Sequence, residues 1–200
     1  MVDHYYSKDP TSKSNPIRWK YTLRGEEFLF TSDHGVFSRG EVDFGSRLLI
    51  ESFEEPSAAG DFLDVGCGYG PIGIVLAKSH PNRNVLMIDV NTRAIELARY
   101  NVKENQLNNV DVMESDLFEG VPKQQYAAII TNPPIRAGKK VVHKIFEQSF
   151  VHLVDEGCLW VVIQKKQGAP SAKKKLEELF GNCDVVKKEK GYYILKAEKV

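Results

Sequence analysis

The sequence is short of several things, and each shortage excludes a class of protein. Only three of 200 residues are cysteine, Cys67, Cys158 and Cys183. An odd number, widely separated and in no ligand spacing, excludes a disulfide scaffold and predicts buried reduced thiols with no metal site. The five histidines, His4, His34, His80, His143 and His152, form no triad or ligand pattern and read as structural or surface residues. No apolar run approaches the ~18 to 20 residues of a membrane span. The opening MVDHYYSKDP has neither the positive start nor the apolar stretch of a signal peptide, so a cytoplasmic location is expected. Net charge is missing too, with 27 Lys+Arg against 27 Asp+Glu, which argues against a general polyanion binder. What the chain does have is apolar area. With 42% hydrophobic residues, ten Phe, eight Tyr and two Trp, it has too much for an unfolded polymer and enough for one globular core.

The apolar pattern organises the chain. Residues 1–40 read as a polar, turn-rich extension carrying a hairpin in YTLRGEEFLFTSD, and 41–200 as the main domain. Helical spacing of Val42, Leu48, Leu49 and Phe53 predicts a helix over Val42 to Glu54, followed by a Pro56 to Gly60 linker. Strands are expected at Asp61 to Val65, Asn84 to Asp89, Val110 to Glu114, Tyr126 to Thr131, Cys158 to Ile163, Asp184 to Lys188 and Tyr192 to Ala197. Helices are expected at Pro71 to Ser79, Thr92 to Asn105 and Lys139 to Leu153, with another opened by Pro170-Ser171 and closed by Gly181. This alternation predicts an α/β domain with a largely parallel sheet covered by helices on both faces and ending in an antiparallel pair.

FLDVGCGYGPIGIVLAK sets a strand, a tight glycine loop and a helix in succession. In an open parallel sheet the ligand crevice lies at the carboxyl ends of the strands, and Gly66, Gly68 and Gly70 let a ligand approach the backbone of the loop, including Cys67. Where a dinucleotide fingerprint needs Gly or Ala, this chain has Pro71, which removes an N–H that a phosphate would use. Asp64, two residues before the first glycine, repels phosphate and attracts an ammonium or sulfonium. Asp89, at the end of the next strand, stands where a carboxylate takes ribose hydroxyls. S-adenosylmethionine has those parts. Asp116 in ESDLF stands where a carboxylate could accept from the adenine amino group. Leu117 would lie against the adenine ring, and Val90 and Asn91 against its other face and the ribose edge. A plain strand-to-helix turn would use the same glycines, and a helix N-cap or turn the same Asp116.

After the fourth sheet strand comes TNPPIRAGKK. Pro133 and Pro134 stiffen the backbone and leave the Pro133 carbonyl free to face the crevice, beside the side-chain carbonyl of Asn132. Two converging acceptors suit an NH2 group on an sp2 carbon, whose lone pair they help turn toward an electrophile. Ile135 would pack on the target ring. Arg136, Lys139 and Lys140 are candidates for holding substrate phosphates, since cations at a helix start are otherwise disfavoured by the dipole.

GVFSRGEVDFGSRLLIE, FLDVGCGYGPIGIVLAK, MIDVN, ESDLF and TNPPIRAGKK, in that order, resemble the class I methyltransferases of the "methyltransferase small" domain, close to the ribosomal RNA guanine-N2 methyltransferases. The resemblance covers roughly residues 20 to 200 and implies a Rossmann-like fold with a seven-stranded, mostly parallel sheet, an antiparallel final hairpin and helices on both faces. It implies S-adenosylmethionine as donor and a guanine exocyclic amine of small-subunit ribosomal RNA as acceptor, presented as RNA or as a subunit assembly intermediate. It also implies that the segment around Phe37 and Phe44 closes over the methionine end of the cofactor, with Ser38, Arg39 and Gly45 available for contacts. Two departures stand out. The wider NPP superfamily usually places an aromatic after the prolines, whereas this chain has Ile135, forgoing ~1 to 3 kcal/mol of stacking. That ranks adenine-N6 and protein-glutamine methylation below guanine-N2. The second, RNA-binding half of the two-domain members also has no room within 200 residues. Besides these enzymes, a non-catalytic RNA-binding module and an NAD-linked oxidoreductase are the competing readings; the intact motifs oppose the first and Pro71 the second. The balanced charge conceals a split: residues 161–200 carry ten Lys against five acidic residues, while 61–160 carry 10 against 12 and 1–60 carry 7 against 10. Lys165, Lys166 and Lys173 to Lys175 are therefore candidates for an RNA-facing patch.

Overall fold

A computed structural model describes residues 8–123 and 125–200; the expectation for His4 and the start of the extension lies outside them. The chain begins with an antiparallel hairpin of β1 (Ile17–Leu23) and β2 (Glu26–Ser32). Its two-residue turn has Arg24 at φ 49° and Gly25 at φ 76°, the double positive φ that matches hairpin twist. The hairpin packs Phe28 and Phe30 into the main core. Its free edge is closed by side-chain amides of α3 (Thr92–Glu104) and of its C-cap Asn105. Asn101 exchanges hydrogen bonds with the Thr31 backbone at 2.8 and 2.9 Å, and Asn105 does the same with Leu29 at 3.0 and 2.8 Å. Main-chain groups that would otherwise invite another strand are thereby satisfied.

The remaining strands are β3 (Asp61–Val65), β4 (Val85–Asp89), β5 (Val110–Glu114), β6 (Tyr126–Thr131), β7 (Leu153–Gln164), β8 (Asp184–Glu189) and β9 (Tyr192–Glu198). They form one seven-stranded sheet in the order β5-β4-β3-β6-β7-β9-β8, with the pairings to β9 antiparallel and the others parallel. Side chains alternate across it. Phe62, Ala128, Ile130 and Trp160 join the cluster with α1 (Phe44–Ser52), α2 (Pro71–Ser79), α3 and the hairpin. Leu63, Ile129, Leu159 and Val161 join the cluster with α4 (Lys139–His152) and α5 (Ala169–Phe180). The sheet is thus covered on both faces, as expected of buried parallel strands.

Boundaries differ from the sequence expectation in two informative places. The first helix starts at Phe44 rather than Val42 because Asp43 takes the N-cap position, accepting from Gly45 N and Ser46 N. Strand β7 starts at Leu153 rather than Cys158, its first residue pairing with Tyr126 before a register shift. The polar stretch Val154 to Gly157 hides that start, since it has the composition of a turn.

Candidate active site

The strand order changes direction between β3 and β6, which lie side by side while their following segments part. Val65 is in register with Thr131, and Thr131 Oγ1 donates to the Val65 carbonyl at 2.9 Å. Gly66 and Asn132 therefore leave the sheet from adjacent points. This is the crevice in which open α/β sheets bind ligands.

On one side of the crevice the glycine loop folds back on β4, with Gly66 N and Cys67 N both donating to the Ile88 carbonyl at 2.9 Å. Gly66 (φ 74°) and Gly68 (φ 57°) adopt left-handed backbone, and a Cβ on either would meet nothing within 4 Å. Their open side faces free space rather than packed protein. Gly70 (φ 99°) is the left-handed cap of α2 and Pro71 occupies its first turn. Cys67 lines a hollow of about 80 Å3 with Phe37, Tyr69 and Asn132, and burial pushes its thiol well up. All three cysteines are free and buried.

The two carboxylates occupy different depths. Asp89 lines the hollow, accepting from Gly68 N at 2.8 Å and Asn91 N at 2.9 Å; burial raises its carboxyl above the usual range, against the lowering effect of those bonds. Asp64 lies beneath the loop, 1% exposed, on the same face of β3 as Phe62, so that it faces α2. There its Oδ2 accepts from Gly73 N at 2.9 Å, while Oδ1 has no partner among the described residues. Burial, then the neighbouring Asp89, push its carboxyl up to about 7, while the Gly73 bond pulls it down.

A second, apolar hollow of about 50 Å3 continues from Asp89 between Val90, Leu117, Pro134 and Ile145. Leu117 holds φ 54° there, with Ser115 Oγ donating to its carbonyl. Asp116 is exposed and outside this lining. Asn91 also departs from its expected place: it is fully buried, caps α3 through Ala94 N at 3.0 Å, and donates to the Gly35 carbonyl at 2.8 Å. It secures the segment that carries Phe37, which is 41% exposed over the cleft.

The other side is a wider cavity of about 360 Å3. Asn132 stands between it and the first hollow, its Nδ2 donating to Asp43 Oδ2 at 3.1 Å and Ser46 Oγ at 3.0 Å. The Pro133 carbonyl is taken up by no donor among the described residues. Ile135, starting a 3-10 turn to Ala137, and exposed Arg136 contribute to the same wall. Opposite them stand Gln164 and Tyr192, joined by the register of β7 and β9. Tyr192 approaches α1 so closely that a Cβ on Gly45 would sit 2.8 Å from its ring. Asp43, Ser46, Gln164 and Tyr192 were not singled out by sequence reasoning; for the last two, only their places at the ends of paired strands could have pointed to them.

Lys139 lines a separate hollow with His143 and Gln167, and Lys140 is exposed at the start of α4. Within the basic C-terminal segment, Lys175 pairs with Glu147 at 2.7 Å and Lys173 pairs with Glu177. Lys165 and Lys166 directly follow Gln164 at the cavity. Among the described residues no group of three His, Cys, Asp or Glu could hold a metal ion, and no helix is long and apolar enough to cross a membrane.

The chain is similar to known proteins in sequence and in fold. Over its whole length the chain is 61% identical, across 201 residues, to "Uncharacterized protein YbxB" of Bacillus subtilis (strain 168), covering 100% of each. It is 34% identical over 180 residues to the Ribosomal RNA small subunit methyltransferase C of Vibrio cholerae, covering 88% of this chain and 51% of that one. In structure it superposes on the T. Thermophilus 16S rRNA N2 G1207 methyltransferase (RsmC), solved in complex with AdoMet and guanosine. There the TM-score is 0.83 at 26% identity, over 96% of this chain and 52% of the other. The chain thus spans about half the length of the ribosomal RNA methyltransferases it matches. The model of the methyltransferase small domain matches residues 27–196, from the second hairpin strand to the last strand of the sheet. With the glycine loop, the NPPI turn and the sheet order all inside that span, the chain belongs to the methyltransferase small domain family.

Proposed function

We propose that this methyltransferase-family protein moves a methyl group from S-adenosylmethionine to an exocyclic amine, namely guanine-N2 of small-subunit ribosomal RNA. The observation that carries the reading is the setting of Asn132: its amide nitrogen is bound to Asp43 and Ser46, and it stands where the glycine-loop hollow meets the wider cavity.

The glycine-loop side fits the proposed cofactor. The open faces of Gly66 and Gly68 let a ligand lie against the backbone. Asp89 offers carboxylate acceptors to ribose hydroxyls, and Val90, Leu117 and Pro134 bound a flat apolar slot for adenine. Asp64, raised by burial to about 7, would place negative charge beneath the loop once ionised, and its unpartnered Oδ1 leaves acceptor capacity there. Phe37 and Tyr69 line the shared hollow and would help exclude water once the cofactor fills it. Bound there, S-adenosylmethionine supplies an electrophilic methyl on a sulfonium.

In the wider cavity, Asn132 Oδ1 and the Pro133 carbonyl would accept hydrogen bonds from the two N–H groups of the substrate amine and turn its lone pair toward the cofactor side. Catalysis then rests on orientation and electrostatics. No side chain has to remove a proton first, because a methylated aryl ammonium is acidic enough to release its proton to water. Ile135 and Tyr192 would sandwich the base, so the ring that the NPP turn lacks is supplied from β9. Arg136, Lys165 and Lys166 at the rim would meet phosphates of the RNA, as a segment or within an assembling subunit, in the cytoplasm. Incubating the protein with methyl-labelled S-adenosylmethionine and small-subunit ribosomal RNA tests the reading. Label should be recovered in N2-methylguanosine; label in adenosine or protein would refute it.

A further inference from the structure

Asn132 can face the cleft with either end of its amide, and only the oxygen can accept from an amine. The described contacts decide which end it is. Nδ2 lies 3.1 Å from Asp43 Oδ2 and 3.0 Å from Ser46 Oγ, both brought from a segment more than 80 residues away. An Asp carboxylate only accepts. Turning the amide over would bring two acceptor oxygens together with no proton between them.

Asp43 is itself immobilised. Its Oδ1 accepts from Gly45 N at 2.8 Å and its Oδ2 from Ser46 N at 3.2 Å, as the N-cap of α1. Ser46 is 4% exposed and sits in the first turn of the same helix. The N-terminal end of α1 therefore offers Asn132 two acceptors whose positions are set by backbone geometry.

We propose that Asp43 and Ser46 are positioning residues that lock the Asn132 amide with its carbonyl toward the substrate amine. The inference rests on the proposed methyl-transfer reading for its catalytic consequence, but the orientation itself is a property of the free protein. Helix α1 thus has a second task besides covering the sheet: it fixes the polarity of the acceptor in the NPPI turn.

Asp43→Asn tests this with little risk to folding, since Asn caps helices as well as Asp. Its single oxygen goes to the backbone N–H groups of the cap, leaving an NH2 opposite Asn132. The Asn132 oxygen is then drawn inward. Turnover should fall about 100-fold, the order seen when one preorganised polar group is lost, with S-adenosylmethionine affinity and Tm close to wild type. Combining Asp43→Asn with Asn132→Asp restores an acceptor facing the cleft and should recover activity above either single variant. In parallel, the Asn132 side-chain NH2 signals in 15N-asparagine-labelled protein should shift and exchange faster with solvent in Asp43→Asn. Unchanged NH2 signals, full turnover in Asp43→Asn, or no recovery in the double variant would each overturn the proposal. A wild-type protein that methylates no amine would instead refute the proposed function, and the NH2 signals would still decide the orientation.

Discussion

On the glycine-loop side of the cleft, the groups that matter are close neighbours in sequence: Gly66, Gly68 and Gly70 share one turn, and Asp89 ends the adjoining strand. The acceptor side is assembled from Asp43, Asn132, Gln164 and Tyr192, which leave four separate segments and meet only in the folded chain. The first side works through backbone conformation, with left-handed Gly66 and Gly68 whose open faces need no side chain. The second works through side chains that orient one another. A backbone-built site tolerates change around it but not within its loop, whereas a side-chain-built site can fail at any member of its network.

Substitutions can sharpen or break that contrast. The largest effect is expected for Asn132→Ala, which removes the acceptor but not the glycine loop. Turnover should fall about 10²- to 10³-fold while calorimetric affinity for S-adenosylmethionine stays within about twofold; a parallel loss of affinity would show that the two sides are not separable. Gly68→Ala should do the reverse. Left-handed strain costs roughly 1 to 2 kcal/mol of stability, read as a denaturant midpoint. The added methyl enters the open face of the loop and should weaken cofactor binding about tenfold beyond that strain. Tyr192→Leu keeps apolar volume but removes the ring. It should raise KM for RNA by roughly fivefold, near the lower end of aromatic stacking energies of ~1 to 3 kcal/mol, with kcat less affected.

The smallest expected effect concerns pH. Burial raises both Asp64 and Asp89, and with Asp64 pushed up to about 7 the folded chain holds a proton there that the unfolded chain releases between about pH 4 and 7. The contribution of Asp64 to stability in the ligand-free protein therefore declines as pH rises through that window. Asp64→Asn keeps the acceptor for Gly73 N and should flatten the decline, measured as denaturant midpoints at pH 5 and pH 8. An unchanged slope would mean that Asp64 does not titrate there.

The same contrast explains what could be read from sequence. Strands β3 and β6 and helix α2 stand where periodicity and punctuation put them, because Gly60, Pro71 and the apolar runs are local signals. The mostly parallel sheet with its antiparallel end follows from the alternation of elements, whereas the order in which its strands lie does not. Asp64 was legible as an acidic residue near the loop, yet its depth required noticing that it shares a face with Phe62. Asn91 has the position of a cofactor contact but the chemistry of an N-cap, and the cap and the Gly35 carbonyl claim its amide. The resemblance placed the segment of Asp43 over the cleft but not its pairing with Asn132 across 89 residues, and Tyr192 carried no signal because its place depends on the register of β7 with β9. Long-range partners of this kind are fixed by topology, which local spacing does not encode.

The central claim is that Asn132 presents an acceptor to an exocyclic amine of guanine. Nucleoside mass spectrometry of small-subunit ribosomal RNA, incubated with S-adenosylmethionine and either wild-type protein or Asn132→Ala, tests it most directly. The account predicts new N2-methylguanosine with the wild type and none above background with the variant. Methylation at another atom, or equal N2-methylguanosine from both proteins, would contradict it.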